Sequence, residues 1–186
     1  MARKPRKEPT AEFHHITNQG ARREDIYIDD EDRHRFFELV GMAHHKYGMT
    51  LHANCLMGNH YHLLAQFPER NMPQVMHWLG TCYSQQINRR HGFTGRLCRD
   101  RYFNEPIHDD AYLIAASRYI HRNPIDLGVP TNALDEYWAS SYGAYLGETS
   151  APPWLRTDLV LGIFGNDRTS LRRFTEEPLP TDAAAG

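Results

Sequence analysis

The stretch from His60 to Phe67 constrains the fold more than any other. Tyr61, Leu63, Ala65 and Phe67 are apolar at every second position, with His60, His62, Leu64 and Gln66 between them. A period of two means a β-strand with one face on a core. A single strand is not stable alone, so partners must exist. Residues 50–57 supply one, separated from 59–67 by the break Met57-Gly58-Asn59. Glu12 to Thr17, closed by Asn18-Gln19-Gly20, supplies another, and Arg101 to His108 a fourth.

Helices fill the gaps between these strands. The acidic run Asp29-Asp30-Glu31-Asp32 suits a helix N-terminus, and Phe36, Val40, Ala43 and Tyr47 follow at helical spacing, which predicts a helix over 31–47 stopped by Gly48. Val75, Met76, Leu79, Cys82, Tyr83 and Ile87 form the apolar stripe of a second helix over 72–90, ended by His91 to Gly95. Asp109 and Asp110 can cap a third helix that runs to Asn123, because Pro124 disfavours α conformation in the residue before it. The order strand, helix, strand, strand, helix, strand, helix predicts an α+β fold. It is a ferredoxin-like sandwich with an antiparallel four-stranded sheet and an added helix towards the C-terminus. We expect one domain over 1–165, with Tyr137 to Tyr142 and Trp154 to Phe164 packing back on it, and a flexible tail over 166–186.

Composition narrows the function classes. The 186 residues suffice for a sizeable core. Mean hydropathy is -0.66 and no run approaches the roughly 20 apolar residues of a membrane span, so no membrane partner is expected. Cys55, Cys82 and Cys98 show no C-x-x-C spacing, which argues against a zinc knuckle or a disulfide frame. The basic N-terminus (Arg3, Lys4, Arg6, Lys7) lacks the apolar run of a secretory signal, and a cytoplasmic location is expected. The net charge of -2 averages over two segregated clusters, acidic at 24–32 and basic at 89–101. Twelve histidines are an unusual number for this length.

Three clusters carry candidate chemistry. His60 and His62 project from the same strand face about 6.6 Å apart, within reach of one metal ion, though two half-exposed strand histidines would show the same spacing. Tyr119 and Asn123, four apart, share a helix face, as a half-buried tyrosine and a polar helix end also would. Arg89, Arg90, Arg96, Arg99 and Arg101 are interleaved with Phe93, Tyr102 and Phe103. Guanidinium groups pair with phosphates and aromatic rings stack on unpaired bases, so this cluster suits single-stranded nucleic acid; a solvated charged face is the alternative.

Together, from about Phe13 to Gly147, these clusters resemble the single-tyrosine HUH transposases, in particular those associated with repetitive extragenic palindromes. The segments that carry the likeness are Met57-Gly58-Asn59-His60-Tyr61-His62, Ile87-Asn88-Arg89-Arg90-His91-Gly92, Arg101-Tyr102 and Tyr119-Ile120-His121-Arg122-Asn123-Pro124. Gly58 stands where the family commonly has proline, and Leu97-Cys98-Arg99-Asp100 is an unusual version of the segment before the fourth strand. The resemblance implies that Tyr119 is the nucleophile and that His60, His62 and Asn123 hold a divalent metal, Mg²⁺ or Mn²⁺. It implies a single-stranded or hairpin DNA substrate, a covalent 5′-phosphotyrosine intermediate and a place with the nucleoid; a homodimer, as in related transposases, is left open. A domesticated, non-catalytic DNA- or RNA-binding protein of the same fold is the main alternative. A zinc hydrolase built on His-x-His ranks below it, for want of a carboxylate beside the motif. His15 could reach the site through the sheet.

Overall fold

The computed structural model describes residues 11–178, so the basic arm containing Arg3, Lys4, Arg6 and Lys7 lies outside the described residues. Four strands, β1 (Phe13–Gln19), β2 (Thr50–Leu56), β3 (His60–Gln66) and β4 (Phe103–Ile107), form one sheet in the order β2-β3-β1-β4. All neighbours are antiparallel. With α1 (Asp30–Tyr47) after β1 and α2 (Met72–His91) after β3, this is the predicted α+β sandwich with an antiparallel four-stranded sheet.

The helices start and stop where local chemistry directs. The Asp29 carboxylate accepts from the Asp32 amide at 3.1 Å and caps α1, while Gly48 at φ 73° lets the chain leave it, its N–H bonded to the His44 carbonyl. Asp109 caps α3 (Asp110–Arg122) in the same way, accepting from the Tyr112 amide at 2.7 Å. Helix α3 then passes into a 3-10 turn, Asn123–Leu127, and Asn123 keeps helical angles (φ -52°, ψ -35°) although proline follows it, so the proline changes the hydrogen-bond pattern without ending the helical path.

Both faces of the sheet are covered. Helices α1 and α2 pack Phe36, Val40, Val75 and Leu79 on Ile16, Leu51, Leu63 and Phe67. The opposite face carries α3, α4 (Tyr142–Leu146), α5 (Asp158–Ile163) and α6 (Arg168–Glu176), whose core residues join Ala53, Cys55 and Leu64. The aromatic block after α3 docks through Tyr137, whose hydroxyl donates to the Leu56 carbonyl at 2.7 Å, and Tyr145, whose hydroxyl donates to the His52 carbonyl. Trp154 stacks on Phe37 on the other side, with ring centroids 5.4 Å apart.

Two boundaries differ from expectation. Strand β4 begins at Phe103, so Arg101 and Tyr102 belong to the segment before it. The expected tail does not begin at Asn166, because Arg168–Glu176 forms α6. Asp167 caps that helix through the Thr169 amide, and Leu171 and Thr175, one turn apart, are buried. Arg122 donates to the Thr175 carbonyl at 2.9 Å and holds α6 against α3. Two buried positions in nine are too faint a pattern to read without the partner helix.

At the far end of the sheet from the break at Met57, His52 is 3% exposed and its Nε2 lies 2.9 Å from Gln66 Oε1. Burial lowers its pKa from 6.5, outweighing the Gln66 hydrogen bond and the Asp158 charge, which raise it. The folded state keeps this imidazole neutral, whereas the unfolded chain binds a proton as pH falls through about 6.5. Stability is therefore lost below that pH, at no more than about 1.4 kcal/mol per unit for this group. Urea unfolding between pH 7 and pH 5.5 should show a shallower decline in His52→Gln than in the parent; equal slopes would refute the assignment.

Candidate active site

The site forms where one row of side chains crosses the sheet. The register aligns Cys55, His62, Thr17 and Phe103 on neighbouring strands, so all four project from the face that carries α3. The adjacent row on this face is Ala53, Leu64, His15 and Glu105. His60 opens β3 two residues before His62 and faces the same way, with ring centroids 5.1 Å apart.

Each imidazole is oriented through Nδ1. His62 Nδ1 lies 3.0 Å from His15 Nε2, and His60 Nδ1 lies 2.7 Å from Asn59 Oδ1. This leaves Nε2 on both rings for the space in front of the sheet. Desolvation is the main cause that lowers the pKa of His62 to about 3, with His15 and His60 adding to it. His60 is also lowered by burial, opposed by a hydrogen bond with the Asn123 side chain and by the Asp126 charge. Both rings are therefore neutral at pH 7 and available as donors to a cation.

Helix α3 brings the other two residues. Leu113, Ala116, Ser117, Ile120 and His121 face the sheet, which leaves Tyr119 54% exposed at the margin, its ring centroid 5.2 Å from that of His62 and 5.8 Å from that of His15. Asn123, one turn on, is buried; its Nδ2 donates to the Tyr119 carbonyl at 2.8 Å, so its oxygen is the atom left for the His60 side. His60, His62, Tyr119 and Asn123 thus converge from β3 and α3. Among the described residues no three His, Cys, Asp or Glu side chains are grouped to hold a metal, so a cation here needs the amide as its third protein donor. Two neutral imidazoles and an amide oxygen fit a divalent ion that keeps positions open.

The family model described as "Transposase IS200 like" matches residues 10–123, more than half of the 186-residue chain. The chain belongs to the IS200-like transposase family. Among solved structures, one described as a REP-associated tyrosine transposase bound to a REP hairpin superposes with a TM-score of 0.59 at 14% identity, covering 82% of this chain and 89% of that one. A Deinococcus radiodurans chain described as a transposase gives a TM-score of 0.44 at 16% identity, covering 65% of this chain and 97% of that one. No curated protein matches.

The five arginines singled out in this transposase's sequence take different positions. Arg99 and Arg101 line a pocket of about 280 Å³ together with His60, His62 and Phe103. Arg96 lines the adjoining groove under α2. Arg89 is exposed on the last turn of α2. Arg90 points the other way and bonds Asp29, Glu31 and Asp32 at 2.6–3.0 Å. Its guanidinium is spent within the molecule.

Gly58, where the resemblance leads one to expect proline, sits under the loop that follows β1, and only the movable Asp25 carboxylate crowds it. A Cβ there would come 2.8 Å from Asp25 Oδ1, and the Gly58 carbonyl accepts from the Ile26 and Tyr27 amides. Sequence reasoning grouped Phe103 with the arginines as an aromatic suited to unpaired bases but did not bring it beside His60 and His62; that follows from its pairing with Thr17 across the sheet.

Proposed function

We propose that this transposase cleaves and rejoins single-stranded DNA through Tyr119, at hairpin or palindromic repeats. The observation that carries the reading is the convergence of Tyr119 with His60, His62 and Asn123 where β3 begins, on the face of the sheet that carries α3, beside Arg99 and Arg101. The Tyr119 hydroxyl loses its proton as its oxygen attacks the scissile phosphorus; an oxygen–phosphorus bond forms, the bond from phosphorus to the 3′ oxygen breaks, and the leaving 3′ oxygen takes up a proton, so no net proton is gained or lost. The product is a 5′-phosphotyrosine and a free 3′-hydroxyl, and the reverse attack restores a phosphodiester without an external energy source. His60, His62 and Asn123 would hold Mg²⁺ or Mn²⁺, which when bound polarises the phosphate and offsets its developing charge. His15 and Asn59 fix the ring orientation of the two histidines. Arg99 and Arg101 supply positive charge for the phosphates on either side.

The printed description of the structural neighbour, a transposase bound to a REP hairpin, supports a hairpin substrate here. The test is incubation with end-labelled hairpin oligonucleotides carrying unpaired flanks and Mn²⁺, followed by a denaturing gel. A DNA-linked protein band is expected. Salt-sensitive binding without such a band would instead favour the non-catalytic alternative. With Arg96, Arg99 and Arg101 each neutralising one phosphate, the log–log salt plot should have a slope of about -2, and Arg101→Ala should reduce its magnitude by about 0.7. A slope unchanged in Arg101→Ala would remove that residue from the interface.

A further inference from the structure

Helix α3 carries Tyr119 and Asn123 on one side and a buried histidine on the other. At about 100° per residue, His121 lies about 200° round the helix from each of them. It faces the sheet, is 1% exposed, and packs against the rings of Tyr142 and Tyr145 at centroid distances of 5.2 and 4.9 Å. Its Nε2 lies 2.8 Å from the Ser141 hydroxyl oxygen. That oxygen accepts from the Asn54 amide of β2 at 2.9 Å, and the Ser141 amide donates to the Asn54 carbonyl at 3.0 Å. Ser141 thus sits on the outer edge of β2 as a strand partner would, one residue from the level of Cys55, which pairs with His62. A chain of hydrogen bonds therefore runs from the helix that bears Tyr119 to the strand beside His62.

The neighbouring contacts do not fix the helix in the same way. Leu113, Ala116 and Ile120 join Ala53, Cys55 and Leu64 in apolar packing, which has no preferred direction. A hydrogen bond has one, and leaving either partner unpaired in this core is costly. Ser117, one turn before His121, hydrogen-bonds the Tyr145 hydroxyl and steadies the earlier part of the helix. Arg118 and Arg122 tie α3 to the end of α6, not to the sheet. His121 is left as the directional link to the sheet on the turn that holds the site residues. Cα atoms lie about 2.3 Å from a helix axis and a tyrosine hydroxyl several ångströms beyond, so a rotation of about 10° moves the Tyr119 oxygen by more than about 1 Å. A misplacement of about 1 Å lowers a rate about 100-fold.

Resting on the reading of Tyr119 as the nucleophile and Asn123 as a metal donor, we propose that His121 is a positioning residue for DNA cleavage. Through Ser141 it sets the rotation of α3 against β2, and so holds the Tyr119 oxygen and the Asn123 amide in place relative to His60 and His62. It acts from the buried side of the helix, away from the pocket that His60 and His62 line. A polar group in an apolar stripe is here the device that selects one setting of the helix.

The test compares the single-turnover rate of the DNA-linked band, with a hairpin oligonucleotide and saturating Mn²⁺, with affinity for the same hairpin in EDTA. His121→Leu should slow the band about 100-fold and leave affinity within about twofold. His121→Gln, whose amide can bond Ser141, should recover at least about tenfold of that loss. Ser141→Ala serves if His121→Leu does not fold; it should slow the band by about tenfold or more, and the double variant should be no slower than His121→Leu. Unchanged rates in both single variants, a Gln variant no faster than the Leu variant, or equal losses of rate and affinity overturn the proposal. Fluorine NMR of protein labelled with 3-fluorotyrosine, in EDTA, reads the geometry without metal. The signal missing from Tyr119→Phe should shift or split in His121→Leu and return in His121→Gln, and a signal that does not move overturns the positioning role. If the wild type forms the band and the variants keep its rate, only the role of His121 falls; if the wild type forms no band, the catalytic reading falls and the positioning role with it.

Discussion

Tyr119→Phe should abolish the DNA-linked band, with an expected loss on the order of 10⁶-fold, the scale seen when a covalent nucleophile is deleted. The substitution removes one exposed hydroxyl and leaves the ring beside His62, so folding and DNA binding should stay within twofold of the parent, about 0.4 kcal/mol. Tyr83→Phe is the informative contrast. Tyr83 is buried against Tyr27 and Phe36, and its hydroxyl donates to the Ile26 carbonyl at 2.6 Å. Its replacement keeps the covalent band but leaves a buried carbonyl unsatisfied, at a cost of about 1–2 kcal/mol in denaturant unfolding. A band that survives in Tyr119→Phe and disappears in Tyr83→Phe would reverse the assignment.

Asp32→Ala should destabilise the protein by about 3 kcal/mol, more than any single loss among the exposed arginines. Asp32 is fully buried at the start of α1 and accepts from the Ile28 amide at 2.8 Å, from Arg90 at 2.6 Å and from His91 at 2.9 Å. Removing the carboxylate strands these donors. Arg90 retains Asp29 and Glu31, which places the loss at the lower end of the range for a broken buried pair. Arg89→Ala, on the same turn of α2, should cost less than about 0.5 kcal/mol. Equilibrium unfolding of the single variants and of Asp32→Ala with Arg90→Ala gives the coupling directly. A coupling near zero would mean that the cluster holds nothing together and would return Arg90 to the candidate DNA contacts.

That cluster marks a limit of reading charge along the chain. The acidic run at 29–32 and the basic run at 89–91 look like two separate features in sequence, a helix cap and part of a DNA surface. In the fold the end of α2 lies over the start of α1, where Arg90 pairs with Asp29, Glu31 and Asp32 and the His91 ring hydrogen-bonds Asp32. The arginines that line the site's pocket or the groove beside it are Arg96, Arg99 and Arg101, on the segment that skirts the end of β1. Charge acts through space, and only strand order and helix packing say which runs become neighbours.

The period of two from His60 to Phe67, the caps at Asp29 and Asp109 and the stop at Gly48 were enough to read the strands, helices and sheet class, because each is a local effect of side-chain direction or an unsatisfied backbone group. The spacing within His60-Tyr61-His62 and within Tyr119 to Asn123 likewise established which residues share a face. The sequence could not say that these faces meet, since that depends on β1 lying between β3 and β4 and on α3 returning over the sheet. Nor could it assign His15 and Asn59 to the Nδ1 atoms of the two histidines, bring Phe103 to the lip of the pocket, or turn α6 from a tail into a packed helix. Those facts are set by register and by burial between elements distant in the chain, and they exist only once the tertiary structure does.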